Sequence, residues 1–452
     1  MERVVETLFN VYAGEQKQAF RLALLAFLWS LGAYCGQILF DGLFLEHVGA
    51  SALPAAYLAT SLTVFAVAAA ILKLLNRVAV ATIFCWALGL MALFFVGAII
   101  AAKAGLLEGH GTWPWLVLKF MTSSFCIILY TCFWAFVDQF HDLHNAKRLY
   151  CLFGSAMFLG DAVGGAFISL GLQQLKLSGM LLTLTVVLLL CLWGARSLMA
   201  RMPTPPPPTS EDGVTTRHTI RTFLRTVILS PFTLLLMVAY MLAELLRMVT
   251  QYNYMKSFET YFDAARFVGD DNALTVFLGE CIFWISLGNI VFGLFFYSRV
   301  VKGMGINNLI LMCPLFFVGT FMTWSVVDFL IIAVCGLVAV EGLSETLDDN
   351  NFNVLVNAVP SGIKDRIRVI TGSFFEPIGM LLSAGLMMLF QTGSQWLGLI
   401  LALITLGVIC LLRRSYRKTV RLQAHLFEEA APARKVEGKE QRTEELEVTL
   451  SS

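Results

Sequence analysis

Twelve apolar stretches divide the chain, at roughly 20–41, 53–75, 79–102, 113–138, 150–173, 179–200, 227–255, 273–298, 306–325, 327–346, 366–391 and 394–412. Each is close to the length of about 20 residues that an α-helix needs to cross a bilayer core. The short alternating segments of a membrane β-barrel are absent. The pattern predicts an all-α polytopic membrane protein with 12 transmembrane helices. No cleavable leader is expected, because residues 1–18 carry Glu2, Glu6 and Glu15 and the first apolar run is too long for one.

The twelve divide as six plus six. Between the sixth and seventh lies RMPTPPPPTSEDG at 201–213, a proline run that takes extended polyproline form and spaces what it joins. TRHTIRTFLRT follows and reads as a basic amphipathic helix on the membrane surface. The expected organisation is an N-terminal six-helix half at 1–200, a linker at 201–226, a C-terminal half at 227–412 and a tail at 413–452. That tail opens with RRSYRKTVR, a lipid-facing collar, and then turns acidic and poor in hydrophobic residues, as disordered segments do.

Charge orients the bundle. Of 32 Lys and Arg, 26 fall on the termini and the even-numbered connections, and four on the odd-numbered ones. The positive-inside rule then places both termini in the cytoplasm. Lys119 and Arg247 are left, inside segments 4 and 7. Composition agrees with the membrane reading: mean hydropathy is +0.75 and 14% of residues are charged, against about a quarter in soluble domains. The ten cysteines contain no CxxC and sit mostly in apolar runs, so they read as small buried hydrophobes.

A shift of 218 residues aligns the halves. YCGQILFD at 34–41 meets YNYMKSFE at 252–259, pairing Tyr34, Phe40 and Asp41 with Tyr252, Phe258 and Glu259. AKRLYCLFG and KDRIRVITG place Arg148 and Arg366 six residues before Gly154 and Gly372. Parallel six-helix repeats are the architecture of the major facilitator fold, whose substrate site lies near the midplane between the halves.

Three stretches carry a resemblance: segment 1 with the following GASALPAAY, FWAFVDQFHDLHNAKRLYCLFGSAMFLGDAVGG at 133–165, and LVNAVPSGIKDRIRVITGSFFEPIGMLL at 355–382. Together they resemble the ATP/ADP carrier family of plastids and intracellular bacteria, with its related facilitator-like bacterial membrane proteins. The resemblance implies a twelve-helix transporter of a bacterial inner membrane, with nucleotide exchange as the best-known activity. At the end of helix 1 those carriers resemble Arg-Asp-Thr-Lys-Asp. Here Gln37, Ile38, Leu39, Phe40 and Asp41 align with it, keeping the last acid and neither cation.

Ionisable residues inside spanning helices mark function by default, at about 2.5–3.5 kcal/mol each at the helix centre. Gln37, Asp41, Lys119, Glu244 and Arg247 are the substrate-binding candidates. Lys119 either faces a cavity or snorkels to the interface. Glu244 and Arg247, three apart, either pair with each other or serve a substrate anion. Asp161 in FLGDAVGG, Glu280 in GECIFWISLGN and Glu376 before Pro377 have no basic residue within one turn, and Glu341 stands four before Glu345. These four are candidate coupling or cavity acids, with interhelical structural pairing as the alternative. Segment 10 could also end near 340, leaving Glu341 and Glu345 wet. Arg148, Lys364, Arg366 and Arg368 line the expected cytoplasmic mouth, either as a gate or only as topology signals. Asp138, His141 and His144 have helix-face spacing but sit at the rim, and no metal is expected.

No GxxxxGK[ST], G-x-S-x-G or HExxH occurs, so the reading is not an enzyme; no cofactor and no nucleic acid are expected. Secondary transport by alternating access follows, of a nucleotide such as ATP or ADP or another small anionic or polar metabolite. The alternatives are a proton-coupled carrier of a neutral or cationic solute, and a non-transporting membrane scaffold or receptor. Lipid is the expected surrounding partner; oligomeric state stays open.

Overall fold

The computed structural model describes residues 16–74, 77–109, 111–139, 143–201, 230–265, 272–327, 329–356, 359, 367 and 371–419. The proline-rich linker with its amphipathic segment, the acidic part of the tail, and Lys364, Arg366 and Arg368 lie outside them. The side chains of Asp138, His141, His144 and Arg148 do as well.

Among the described residues the chain is helical throughout, without strands. Helices α1 (Gln16–His47), α2 (Leu53–Leu74), α3 (Val80–Lys103) and α4 (Trp113–Asp138) come first. The run Leu143–Arg201 follows, broken at Lys176, whose φ of 53° and ψ of 172° are not helical. It therefore contains two spans, α5 (143–175) and α6 (177–201). Next are α7 (Pro231–Ala265), α8 (Ala273–Val291) and α9 (Met312–Trp324). Helix α10 is built from Leu330–Leu337, Val338–Asp348 and Asp349–Val356. Helix α11 (Glu376–Leu389) and α12 (Ser394–Thr419) complete the bundle. Ten runs are by themselves long and apolar enough to span a membrane. Counting the broken run as two and adding the shorter α11 with its preceding turn accounts for twelve spans.

Local chemistry explains several ends. Ser230 precedes Pro231 and its Oγ accepts from Thr233 N–H at 3.4 Å and Thr233 Oγ1–H at 2.9 Å, so a hydroxyl cap meets a proline in the first turn. Pro377 has no N–H to give, and the turn before it, Thr371–Phe375, is π-helical. Phe292–Phe296, which extends α8, and Val338–Asp348 inside α10 are π-helical too. All three lie in the last six helices.

The core runs through both halves of the bundle and is made of Leu, Ala and Phe with Trp29, Tyr252 and Trp324. Large apolar side chains such as Leu170, Trp193, Trp284 and Ile331 cover the outside, the arrangement of a chain whose solvent is lipid. None of the nine described cysteines is in a disulfide.

Two segment ends differ from the sequence expectation. Helix α1 continues past Asp41 to His47, so Glu46 is a buried helical residue and not part of a connecting loop. Helix α10 runs beyond the expected 346 to Val356, so Glu341 and Glu345 are helical and half-buried, as segment 10 at 327–346 has them, and the alternative end near 340 does not hold. In both cases the charges that suggested a wet end have found uses inside the bundle.

Candidate functional site

The polar centre begins with Asp41 on α1 and Lys119 on α4. Both are buried, and the ammonium donates to the Asp41 carboxylate and to Ser123 Oγ at 3.2 Å. Lys119 therefore points into the bundle. A charge this far from water persists when paired and hydrogen-bonded, and this one has both. Gln37 lies one turn before Asp41 and is half-buried.

Arg247 and Glu244 share one face of α7, with Nε 3.5 Å from Oε2. Gln251 and Tyr254 continue the helix, both buried. The two intramembrane cations are thus each set against a carboxylate.

Two other acids have hydroxyl partners. Ser30 of α1 donates to Asp161 of α5. Tyr34 of α1 donates to Glu341 of α10, joining the first six helices to the last six. Asn289 of α8 holds the Glu341 backbone carbonyl at 2.8 Å, inside the π-helical stretch where the chain's own hydrogen-bond ladder is altered. Glu341 lies within electrostatic reach of Arg247, Asp41 and Lys119, and Tyr57 and Tyr254 within reach of Asp41 and Glu341. Asp41, Lys119, Arg247 and Glu341 thus gather in one region.

Glu280 and Glu376 stand elsewhere. Helix α8 buries Thr275, Leu278, Gly279, Ile282, Ser286 and Asn289, whereas Glu280 shares an exposed stripe with Trp284, Leu287 and Val291. Glu376 is half-buried at the start of α11. The carbonyl of its neighbour Pro377 accepts from Ser61 of α2 at 2.8 Å, another bond between halves.

At the end of the bundle opposite the last turn of α6 and the first turn of α7, the halves are clasped. Glu46 Oε1 accepts from Thr275 N–H at 3.0 Å and from Thr275 Oγ1–H at 2.9 Å. Thr275 lies in the first turn of α8, whose leading Asn272 makes no side-chain cap. Glu46 supplies that cap from the other half, placing a carboxylate where the helix has unsatisfied N–H groups and a positive dipole end. Glu259, near the end of α7, accepts from Ala50 N–H at 2.8 Å, at the turn Ala50–Ala52 that leads into α2. Each half therefore lends a carboxylate to a helix start of the other. Gly165 and Gly279 allow the adjacent α5–α8 contact: a Cβ on Gly165 would lie 2.5 Å from the Gly279 oxygen.

Along α4, exposure is 8% at Ser123 and 40% at Tyr130. On α7 the Arg247 side chain is 19% exposed, between buried Gln251 and buried Glu244.

Sequence reasoning missed Ser30, Tyr57, Ser123 and Thr275, because a lone hydroxyl in an apolar run carries no signal of its own. Tyr34 and Glu259 did carry one, as members of the repeat. Among the described residues no three His, Cys, Asp or Glu gather as metal ligands would.

No protein-family model and no curated protein matches the sequence. Solved structures do match in fold. The D-xylose-proton symporter superposes with a TM-score of 0.61 at 14% identity, covering 86% of this chain and 96% of the other. A point mutant of the nucleoside transporter NupG gives 0.59 at 11%, covering 89% and 99%. A bacterial homologue of the iron transporter ferroportin in its inward-facing state gives 0.56 at 13%, covering 89% and 98%. With its twelve spans, its six-plus-six repeat and these near-complete superpositions, the chain is a polytopic membrane protein of the major facilitator fold.

Proposed function

We propose that the chain is a secondary transporter working by alternating access, coupled to protons and carrying a small polar solute that is neutral or cationic. One observation carries this reading: both intramembrane cations are set against carboxylates, while Asp161 and Glu341 are held by hydroxyls. A carboxyl bonded to a hydroxyl can gain or lose a proton without breaking an ion pair. Tyr34 and Glu341 belong to different halves, so that exchange is tied to the movement of one half against the other. The polar centre supports transport over a scaffold role, for which an apolar or aromatic-plugged interior is the expectation.

In this reading both termini are cytoplasmic, as the Lys and Arg distribution suggests, and the membrane is the inner membrane of a bacterium. The clasp formed by Glu46 and Glu259 is then the closed outer side.

A second reading, exchange of ATP and ADP or of another anionic metabolite, is supported by the partly exposed guanidinium of Arg247 at the centre and by the family resemblance. A nucleotide brings about three to four negative charges, each costly to remove from water without a partner, and meeting them here would require Arg247 and Lys119 to release Glu244 and Asp41. Vesicles separate the two readings. Labelled ADP entering ATP-loaded proteoliposomes selects exchange. Solute-dependent acidification of a trapped pH dye without nucleotide counterflow selects proton coupling. Absence of both signals from folded protein would remove transport.

A further inference from the structure

The repeat places helices α4 and α10 in register, and their equivalent faces carry opposite chemistry. The Lys119 face of α4 continues through Ser123, Ile127, Tyr130 and Trp134. The matching positions of α10 are Leu337, Glu341, Glu345, Asp348 and Phe352. The α4 positions therefore turn aromatic, while the α10 positions carry acids, with Glu341 and Glu345 about one π-helical turn apart.

The aromatic wall is built from rings of three helices. Trp134 meets Tyr150 of α5 at 5.0 Å and 61°, and Tyr130 at 6.2 Å and 76°. Tyr130 also meets Trp29 of α1 at 6.4 Å. Tyr130 keeps 40% of its surface open.

Three buried polar atoms here have no hydrogen-bond partner: Tyr57 Oη, Trp29 Nε1 and Trp134 Nε1. Tyr57 is 3% exposed and within electrostatic reach of Asp41 and Glu341; Trp29 is 4% exposed. Leaving such a group unpaired costs about 1–3 kcal/mol; a cationic solute removes it by donating to the Tyr57 oxygen, while the two indole N–H groups, which only donate, call for an acceptor atom on the solute.

Resting on the transporter reading above, we propose that the solute is an organic cation carrying a planar ring. The ring lies against Tyr130 and Trp134, and the cationic group points to Glu341. Aromatic faces attract both planar rings and cations, and a carboxylate held by a phenol accepts an ammonium donor. Trp29, which meets Tyr130, and Tyr34, which bonds Glu341, stand five residues apart on α1, roughly 7.5 Å along the helix. The solute therefore carries its ring and its charge at the two ends of a short chain. An anion is disfavoured, since Lys119 and Arg247 are already set against carboxylates.

Calorimetry on the purified full chain tests this with three probes: tyramine (ring and ammonium), n-hexylamine (ammonium alone) and phenylacetate (ring and carboxylate). Tyramine is expected to bind at least tenfold tighter than n-hexylamine, and phenylacetate not to compete. Trp134→Leu should bring tyramine down to the n-hexylamine level, and Trp134→Phe should keep the preference. Glu341→Gln should weaken both amines at least tenfold. Equal binding of the amines, preference for phenylacetate, or no binding of any probe by folded protein overturns the proposal. Spin-label distances between the halves across a pH step separate the two levels. Halves that switch without any ring preference overturn only the solute class; halves that never switch overturn the transporter reading itself.

Discussion

Glu46, on the last turn of α1, caps the first turn of α8 through both the N–H and the hydroxyl of Thr275. A helix start in one half is completed by a carboxylate from the other, and Glu259 does the same for the turn before α2. Two caps exchanged in this way cannot be kept when the halves separate at this end.

Removing a cap costs about 0.5–2 kcal/mol, and every 1.4 kcal/mol is about tenfold in a population. Glu46→Ala and Glu259→Ala should each raise the fraction of molecules open at the clasped end by about tenfold, and the double variant should exceed either. Spin labels at the facing ends of α1 and α8 would report it as a longer distance. An unchanged distance distribution in the double variant would show that the caps do not hold this end.

The Asp41–Lys119 pair predicts non-additivity. Removing one partner of a buried pair costs about 3–5 kcal/mol, because the other charge is stranded. Asp41→Asn and Lys119→Met should each lower the melting temperature, and the double variant should recover most of the loss. Independent, additive losses would contradict a direct pair.

Tyr34→Phe keeps the ring and removes the hydroxyl that reaches Glu341. The melting temperature should shift by only a few degrees, consistent with about 1.5–3 kcal/mol for a hydrogen bond to a charged group. Solute-driven proton flux into dye-loaded vesicles should fall at least tenfold. Full flux in this variant would take Tyr34 out of the coupling path.

Gly165 has no room for a side chain, since its Cβ position already lies 2.5 Å from the Gly279 oxygen and 2.8 Å from Phe283 N. Overpacking of this kind costs about 1–3 kcal/mol. Gly165→Leu should therefore push α5 from α8 and favour opening of the clasped end, and Gly165→Ala should do so more weakly. A leucine variant with the unaltered distance between α5 and α8 would refute the contact.

The twelve spans were legible because a bilayer imposes one length on every helix, and that length shows in the apolar runs without knowledge of contacts. The pairing of Glu244 with Arg247 was legible for a similar reason: three residues on a helix set them side by side. Long-range partners were not. Asp41 and Lys119 were each legible as substrate-binding candidates, but nothing in the sequence pairs two residues 78 positions apart. Glu46 looked like a loop acid because its partner is a backbone N–H, and every residue but proline has one. Glu280 had the composition of a cavity acid, but the buried stripe of α8 runs along its other side, and only the packing of α5 and α10 decides which side that is.

The three π-helical stretches give the two halves unequal mechanical characters. Each is wound more loosely than its neighbours, with bonds reaching one residue further. Helices α8, α10 and α11 therefore contain spare turns that the described parts of α1 to α6 lack. Rewinding Val338–Asp348 to ordinary helical bonding would lengthen α10 and turn Glu341 about its axis, away from a Tyr34 fixed on an unbroken α1. The first half behaves as a rigid anvil and the second as a spring, and the place where they touch is the Tyr34–Glu341 bond.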